Sequence, residues 1–334
     1  MSAKTDSSRR QFLSRLAAAG AAASLAPLSA EAGAADAKGK TKAPGGGQKG
    51  PALPPSVIHV FTKPLQWLDY AGAAALAKET GFGGLDLAVR PGGHVLPERV
   101  QDDLPQAVEE AKKAGLKVQM ITTAITSATD KFTEPLLRTA AKLGVTCYRF
   151  GNFSYDDKLG VWASLQKHRD ALKELAVINK SLGLHGAIQN HSGTRVGGPV
   201  WDLFEIVRDI DPRWAGVQYD IRHAVVEGGQ SWPVALKLLA PWVRCTDIKD
   251  FKWEQAPGKA TIENVPIGEG VVPFDAYFKL VRELRIGGPI SVHLEYPPFE
   301  RAKISEAEKR AQFPGLMKKD LAALKGYLAK HGLG

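Results

Sequence analysis

The sequence has little of what defines several common protein classes. Its 334 residues include only 2 cysteines, which excludes a disulfide-stapled scaffold. The formal net charge is +9, yet no basic run is interleaved with aromatic residues, so nucleic acid is not expected as a partner. No Gly-x-Gly-x-x-Gly follows the first apolar run. This argues against a doubly wound sheet that binds a dinucleotide.

The first residues have the pattern of an export signal. Arg9 and Arg10 precede a weakly apolar, alanine-rich run over 16–30, and Ala-Gly-Ala at 32–34 offers a cleavage site. The run is too short and too rich in Ala and Gly for a stable membrane anchor. We predict a twin-arginine signal peptide over 1–34, a flexible linker over 35–55 and a folded domain over 56–334. The expected location is periplasmic or extracytoplasmic.

From residue 56 onward, β-like apolar runs alternate with amphipathic helical patterns. Strands are predicted over 57–61, 84–89, 117–122, 145–151, 185–189, 215–220, 243–248 and 289–295. Helices are predicted over 67–80, 103–114, 134–143, 158–182, 200–209, 232–240, 274–284 and 306–330. Eight such units predict an α/β fold with a single (β/α)8 TIM barrel.

Four glycines support this division of the chain. Gly81, Gly115, Gly144 and Gly183 each follow a helical pattern with Lys in its last turn and precede an apolar run. Glycine in the left-handed conformation commonly ends a helix, and Lys near that end complements the helix dipole. We therefore expect four helix ends of the same kind.

The two cysteines fall in separate predicted strands. Cys147 lies in the fourth and Cys245 in the seventh. We expect two buried thiols, because a disulfide would require adjacent strands.

Polar side chains collect where four of the apolar runs stop. They occur as Gln189-Asn190-His191, as Asp220 with His223, as Asp247-Ile248-Lys249-Asp250, and as Glu295. The carboxyl ends of parallel barrel strands meet at one mouth, so these groups should converge. Such a ring of oxygen and nitrogen groups is suited to a divalent cation and a polyhydroxylated substrate.

These segments resemble the xylose-isomerase-like TIM-barrel superfamily of sugar isomerases, sugar epimerases and endonuclease-IV-type enzymes. In that family strand five ends in Glu-Asn, strand six in Asp-x-x-His, strand seven in His-x-Lys-Asp and strand eight in Glu. The resemblance implies that Gln189, Asp220, Asp247 and Glu295 are metal ligands. Gln189 replaces a Glu and Asp247 replaces a His. An all-oxygen set favours Mn²⁺ or Mg²⁺, with Ca²⁺ or Zn²⁺ possible.

The resemblance also implies roles in catalysis and substrate binding. Glu295 is the expected base, while His223 and Lys249 would polarise oxygens or supply a proton. Gln189 cannot accept a proton, which disfavours a symmetric mechanism with two carboxylates. The substrate-binding residues are expected to be His191, Asn190, Arg149 and Trp253. Asp86 and Arg149 point into the mouth or form an internal ion pair.

The function expected from these residues is that of a metal-assisted sugar isomerase or epimerase, which removes a proton next to a carbonyl of a sugar or sugar derivative. One alternative is a lyase that opens 3-keto-glycosides by β-elimination. A second alternative is a non-catalytic sugar-binding protein on a degenerate barrel. The partner in each case is a small-molecule carbohydrate. The last helix, over 304–330, either caps the barrel or bridges to a second subunit in a homo-oligomer.

Overall fold

The computed structural model describes residues 56–300 and 303–334, apart from the side chains of residues 256 and 259. The predicted signal peptide (1–34) and linker (35–55) lie outside these residues, so both remain predictions, as does export.

Eight parallel strands close into a barrel. Seven of them come in chain order: β1 (Ile58–Phe61), β2 (Gly84–Val89), β3 (Lys117–Thr123), β4 (Cys147–Arg149), β5 (His185–Gln189), β6 (Ala215–Asp220) and β7 (Val243–Ile248). After two further strands, β8 (Asp250–Ala256) and β9 (Lys259–Val265), the last barrel strand is β10 (Ile290–Val292). β10 pairs with both β7 and β1 and so closes the ring. The predicted TIM barrel is confirmed.

Helices surround the barrel strands. They are α1 (Tyr70–Thr80), α2 (Val100–Lys113), α3 (Thr133–Lys142), α4 (Gly160–Leu182), α5 (Trp201–Val207), α6 (Ile221–Gly228), α7 (Trp232–Leu239), α8 (Phe274–Glu283) and α9 (Glu306–Lys330). Because helices cover the outside and side chains fill the inside, β1, β2, β5 and β6 are buried along their whole length. Within the described residues, no helix is long and apolar enough to cross a membrane.

The last helix closes the helical layer. α9 begins with a capping box between Ser305 and Glu308, and it packs on α1 and α8. Its buried face includes Phe313, Met317 and Leu324. The helix therefore lies against the outside of the barrel, and a homo-oligomer remains a prediction.

The helix ends at the four glycines are confirmed. Gly81, Gly115, Gly144 and Gly183 have φ values of 90°, 75°, 84° and 71°. In this region of conformational space glycine is favoured because it lacks Cβ. Each residue ends one α-helix just before the next barrel strand begins.

Two elements were not expected. The segment after β6 continues directly into α6, whose N-cap is Asp220. The segment after β7 forms the antiparallel pair of β8 and β9, a segment for which no strand was predicted. Alternating charged residues such as Lys252, Glu254 and Glu263 give this hairpin little apolar signal, since both of its faces are partly exposed.

The two cysteines are buried as predicted, but the reasoning about distance was wrong. β5 and β6 separate β4 from β7, yet Cys147 Sγ and Cys245 Sγ are 3.2 Å apart. Inward-pointing side chains of a narrow barrel meet across its interior, whether or not their strands are paired. Both thiols are free in this structure and form a small inner cluster with Met120 and Ala187.

Candidate active site

A pocket of about 100 Å³ opens at the carboxyl ends of the barrel strands. Every residue that lines it comes from the end of β1, β2, β4, β5, β7 or β10, or from the segment that follows one of these strands. The lining is Phe61, Lys63, Arg90, Arg149, Asn152, Gln189, His191, Arg195, Lys249, His293 and Glu295. In a TIM barrel this end of the strands is where active sites lie.

Lys249 is the centre of the site. It follows β7 directly, it is buried, and its Nζ lies 2.8 Å from Glu295 Oε2 and 3.2 Å from Asp220 Oδ2. Burial alone would lower the pKa of Lys249, but the two carboxylates outweigh it and raise the pKa above its usual range. Lys249 is therefore an ammonium ion shared by Asp220 and Glu295.

Glu295 is the carboxylate that faces the pocket. Burial would raise its pKa, but Lys249 and His293 hold it well below its usual range. Its Oε1 also lies 3.6 Å from His293 Nδ1 and 3.8 Å from Lys63 Nζ. Glu295 is thus ionised at neutral pH and surrounded by three cations.

His293 carries a second buried positive charge. Its Nε2 lies 3.2 Å from Asp247 Oδ1, and its ring stacks on Phe61 with the ring centres 4.6 Å apart. Burial would lower its pKa, yet Asp247 and Glu295 raise it to about 9. Burial would raise the pKa of Asp247, but the charge of His293 outweighs burial and lowers this pKa. At neutral pH the two residues form an ion pair.

The amide of Gln189 has only one orientation that satisfies its neighbours. Arg149 Nη1 donates to Gln189 Oε1 at 2.7 Å, and a guanidinium cannot accept a hydrogen bond. Gln189 Nε2 donates to Asp220 Oδ2 at 3.0 Å and to Asp247 Oδ2 at 2.5 Å. The oxygen of Gln189 consequently points toward Arg149 and away from the carboxylates.

The predicted metal ligands come together, but their arrangement does not fit a divalent metal ion. Gln189 directs N–H groups at Asp220 and Asp247, and Gln218 donates to Asp247 Oδ1 at 2.6 Å. The ammonium of Lys249 stands between Asp220 and Glu295. In the described part of the chain, no group of three or more His, Cys, Asp or Glu residues is arranged to hold a metal ion. Binding of Mn²⁺ or Mg²⁺ by these residues stays a prediction.

His223 and Asn190 lie beside the pocket and do not line it. The side-chain amide of Asn190 donates to the backbone carbonyl of Asp220 and accepts from the backbone N–H of the same residue, both at 2.8 Å, which ties the end of β5 to β6. His223 Nδ1 lies 3.0 Å from Arg222 Nη1, so it is the acceptor of that bond. Burial, together with Lys249, holds the pKa of His223 well below its usual range, and the ring is neutral. Because neither residue lines the pocket, we expect Asn190 and His223 to hold neighbouring site residues in place and not to contact the substrate.

His191 does line the pocket. Its ring centre is 4.0 Å from that of His223, and its Nδ1 lies 2.9 Å from the carbonyl oxygen of Ser192. A carbonyl only accepts, so Nδ1 carries the proton and Nε2 is left as an acceptor. Burial lowers the pKa of His191 to about 4, which keeps it neutral. It is suited to accept a hydrogen bond from a sugar hydroxyl.

Trp253 does not line the pocket. It stands on β8 with 45% of its surface exposed and packs edge-on against Phe251. Asp250, beside Lys249 in sequence, has a structural role: its carboxylate accepts hydrogen bonds from the backbone N–H groups of Phe251, Gly268, Gly270 and Val272. A Cβ at Gly270 would come within 2.2 Å of Asp250 Oδ1. The Gly268–Gly270 loop is therefore fixed by Asp250.

Asp86 and Arg149 do not form the expected internal ion pair, since no Asp86 oxygen lies within 4 Å of Arg149 in the described residues. Asp86 accepts hydrogen bonds from Ser291 Oγ at 2.7 Å and from Thr122 Oγ1 at 3.1 Å. Burial raises its pKa to about 6. Asp86 lies inside the barrel, whereas Arg149 lines the pocket.

Sequence reasoning missed several residues of the site. His293 and Gln218 each precede a predicted site residue by two positions, so strand periodicity alone places them on the same face as Glu295 and Asp220. Three other pocket residues, Arg90, Asn152 and Arg195, lie in segments after strands, where no local pattern marks them. Only the folded barrel brings these three residues to the pocket.

The protein is a closed parallel barrel of the TIM type. A buried cluster of carboxylates and cations lies at the mouth of the barrel, where the polar candidate active-site pocket opens. The chain belongs to the xylose isomerase-like TIM barrel family, whose model matches residues 74–327. No curated protein sequence matches the chain.

Solved structures agree on the fold. D-Psicose 3-epimerase with D-tagatose, from Clostridium cellulolyticum H10, is 14% identical, with 81% of this chain and 97% of that chain covered and a TM-score of 0.61. 3-Keto-D-glucoside 4-epimerase from E. coli is 14% identical, with 81% and 99% covered and a TM-score of 0.59. The IOLI protein with a bound zinc atom is 18% identical, with 82% and 98% covered and a TM-score of 0.64. At these identities the likeness establishes the fold alone.

Proposed function

We propose that the protein is an enzyme that moves a proton next to a carbonyl of a sugar or sugar derivative, as an isomerase or epimerase does. The observation that carries this proposal is the buried ion pair between Lys249 and Glu295 in the pocket at the barrel mouth. The family of the chain and its sugar-epimerase neighbours support the substrate class.

Glu295 and Lys249 have complementary tasks in this proposal. Glu295 is ionised, so its carboxylate accepts the proton from the carbon next to the carbonyl. The electron pair of the broken C–H bond forms the C=C bond of an enolate, and the carbonyl electrons move to oxygen. Lys249 has three N–H groups, of which two face Asp220 and Glu295. The third is available to the developing oxyanion.

The positive charge that stabilises the enolate comes from the chain itself. Lys249 and His293 are both cations, and both line the pocket. Since the predicted metal ligands bind these cations and amide N–H groups instead, no step is assigned to a metal ion. His191 accepts a substrate hydroxyl through Nε2 and so orients the sugar.

Return of the proton decides the reaction type. Glu295 is the only carboxylate among the described residues that line the pocket. With one base, Glu295 returns the proton to the former carbonyl carbon on the same face, while the hydroxyl proton of the neighbouring carbon moves to the former carbonyl oxygen. The neighbouring carbon thereby becomes the new carbonyl, which gives an aldose–ketose type of isomerisation. Epimerisation requires a donor on the opposite face, which Gln189 cannot provide.

A lyase is the second candidate, and the pairing of one carboxylate with one imidazolium favours it. Glu295 would remove the proton next to a carbonyl, and the electron pair would then expel an oxygen substituent at the β position. His293, whose pKa is about 9, would protonate the departing oxygen. A 3-keto-glycoside has the carbonyl that this reaction needs.

Hydrogen–deuterium exchange tests the proposed function. The protein is incubated in D₂O with a panel of ketopentoses, ketohexoses and 3-keto-glucosides, and proton NMR follows the C–H groups beside each carbonyl. We expect enzyme-dependent loss of one such signal, and a roughly 10²–10⁴-fold slower loss with Glu295→Gln. Product signals distinguish isomerase from lyase.

The matched control is Glu134→Gln, because Glu134 is an exposed carboxylate on α3 that pairs with Arg138. It should exchange at the rate of the unaltered protein. Saturable sugar binding without any exchange would contradict the enzyme and favour a non-catalytic sugar-binding protein.

A further inference from the structure

Three guanidinium groups in the pocket have no carboxylate partner. Arg149 is only 7% exposed, and its side-chain hydrogen bond is to the neutral amide of Gln189. Arg90 is half-buried with its guanidinium 5.4 Å from the centre of the Phe61 ring, and Arg195 is half-buried in the loop after β5. Among the described residues, no carboxylate oxygen lies within 4 Å of any of the three.

The other pocket cations are compensated. Lys63 forms an ion pair with Glu300, Lys249 with Asp220 and Glu295, and His293 with Asp247. The contrast matters because buried charges are costly and are normally paired. The lack of a direct carboxylate partner is thus specific to the arginines and is not a general property of the pocket.

The arginines also influence one another. Burial lowers the pKa of Arg90, and the nearby charge of Arg149 lowers it further, although the carboxylates of Asp86, Glu295 and Glu300 act in the opposite direction. Asn152 adds an uncharged amide to the same wall. An anion bound at this wall would relieve the repulsion and give Arg149 a charged partner.

We infer that this pocket binds a carboxylate, and that the substrate is a carboxylated sugar derivative, a sugar acid. The inference rests on the proposed function for its sugar class. Guanidinium groups present planar pairs of N–H donors that match the two oxygens of a carboxylate. The acid group lies against the arginines, and the carbonyl faces Lys249 and Glu295.

Equilibrium binding by calorimetry tests the inference without requiring turnover. The probes are D-gluconate against D-glucitol and D-ribonate against D-ribitol, which differ at one end by a carboxylate in place of CH₂OH. We expect at least one acid to bind about tenfold or more tightly than its alcohol, with the advantage shrinking as NaCl is added. Equal affinities within both pairs would overturn the inference.

Variants locate the site. Arg149→Gln and Arg195→Gln should each weaken binding of the acid about tenfold and leave the alcohol unaffected. Arg138→Gln, on the outside of α3, is the matched control and should change neither. If Arg149→Gln does not fold, Arg90→Gln takes its place beside Arg195→Gln. An unchanged affinity for the acid in the folded variants would contradict the site.

Two further results separate this inference from the proposed function. Tighter binding of D-glucitol 6-phosphate than of D-gluconate would overturn the carboxylate in favour of a phosphate. Deuterium exchange with neutral keto-sugars, together with no preference for acids, would leave the proposed reaction standing and refute only the sugar acid.

Discussion

Two adjacent layers inside the barrel are built from the same strands and have opposite chemistry. The inner layer is Met120, Cys147, Ala187 and Cys245. Two residues further along those strands are Thr122, Arg149, Gln189 and Asp247. Strand periodicity puts each pair on the same face, one level apart. One level is packed with small apolar and sulfur-containing groups, while the other carries charge.

The difference between the layers indicates that the inner layer serves stability and the charged layer serves function. Apolar side chains fill a barrel interior without a desolvation cost, as the inner layer shows. Buried ion pairs are often no more stabilising than well-packed apolar residues. The charged layer is therefore better explained by what it does at the pocket than by what it adds to folding.

Removal of the central cation should have the largest effect. Lys249→Met leaves Asp220 and Glu295 buried without their ammonium, so we expect a loss of about 3–5 kcal/mol in the free energy of unfolding. Loss of the oxyanion donor should slow deuterium exchange about 10²–10³-fold. Urea unfolding and NMR exchange measure the two effects.

The control for Lys249→Met is Lys113→Met, since Lys113 is an exposed lysine that lies 2.8 Å from a single carboxylate, that of Glu110. A surface pair of this kind contributes little, and both measurements should stay near those of the unaltered protein. Unchanged exchange in Lys249→Met would contradict the role of Lys249.

A change in the inner layer should lower stability and leave catalysis unchanged. Met120 is fully buried, so Met120→Ala leaves a cavity and should cost about 2–5 kcal/mol of unfolding free energy. The exchange rate of the folded protein should not change. If Met120→Ala impaired exchange and left stability intact, the proposed division between the two layers would be wrong.

The ion pair of His293 should make stability depend on pH. The pKa of His293 is about 9 in the folded protein against 6.5 for the ordinary side chain. Its contribution is therefore complete below about pH 6.5 and is lost as the pH rises through about 9. The loss should be on the order of 3 kcal/mol. Urea unfolding between about pH 6 and pH 10 measures it, and His293→Asn should flatten the dependence.

The fold was predictable from the sequence because its signals are local. The apolar runs at 84–89, 185–189, 215–220 and 243–248 have the bounds of strands β2, β5, β6 and β7. Glycines such as Gly81 and Gly183 mark where helices end. Neither signal depends on residues distant in the sequence. The hairpin of β8 and β9 was missed because its alternation is mostly polar and resembles a loop.

The site was only partly predictable, because its chemistry depends on pairings between strands. Asp220, Asp247 and Glu295 were placed correctly at one mouth. Their partners decide what they do: Lys249 lies between two of them, and Arg149 turns the amide of Gln189. No spacing along the chain indicates that an ammonium, an imidazolium and a guanidinium would meet there. The metal site was predicted from ligand types alone, without the cations and amide groups that contact those ligands, and it stays a prediction.

The central claim is that the cationic side chains of the protein, and not a metal ion, support the proton transfer. Deuterium exchange after metal removal tests this claim most directly. Protein treated with a strong chelator and then dialysed is compared with untreated protein on the same keto-sugar, with metal content measured on both samples. The account predicts equal exchange rates, and no increase when Mn²⁺ or Mg²⁺ is added back. Exchange that disappears with the metal and returns with Mn²⁺ would contradict it.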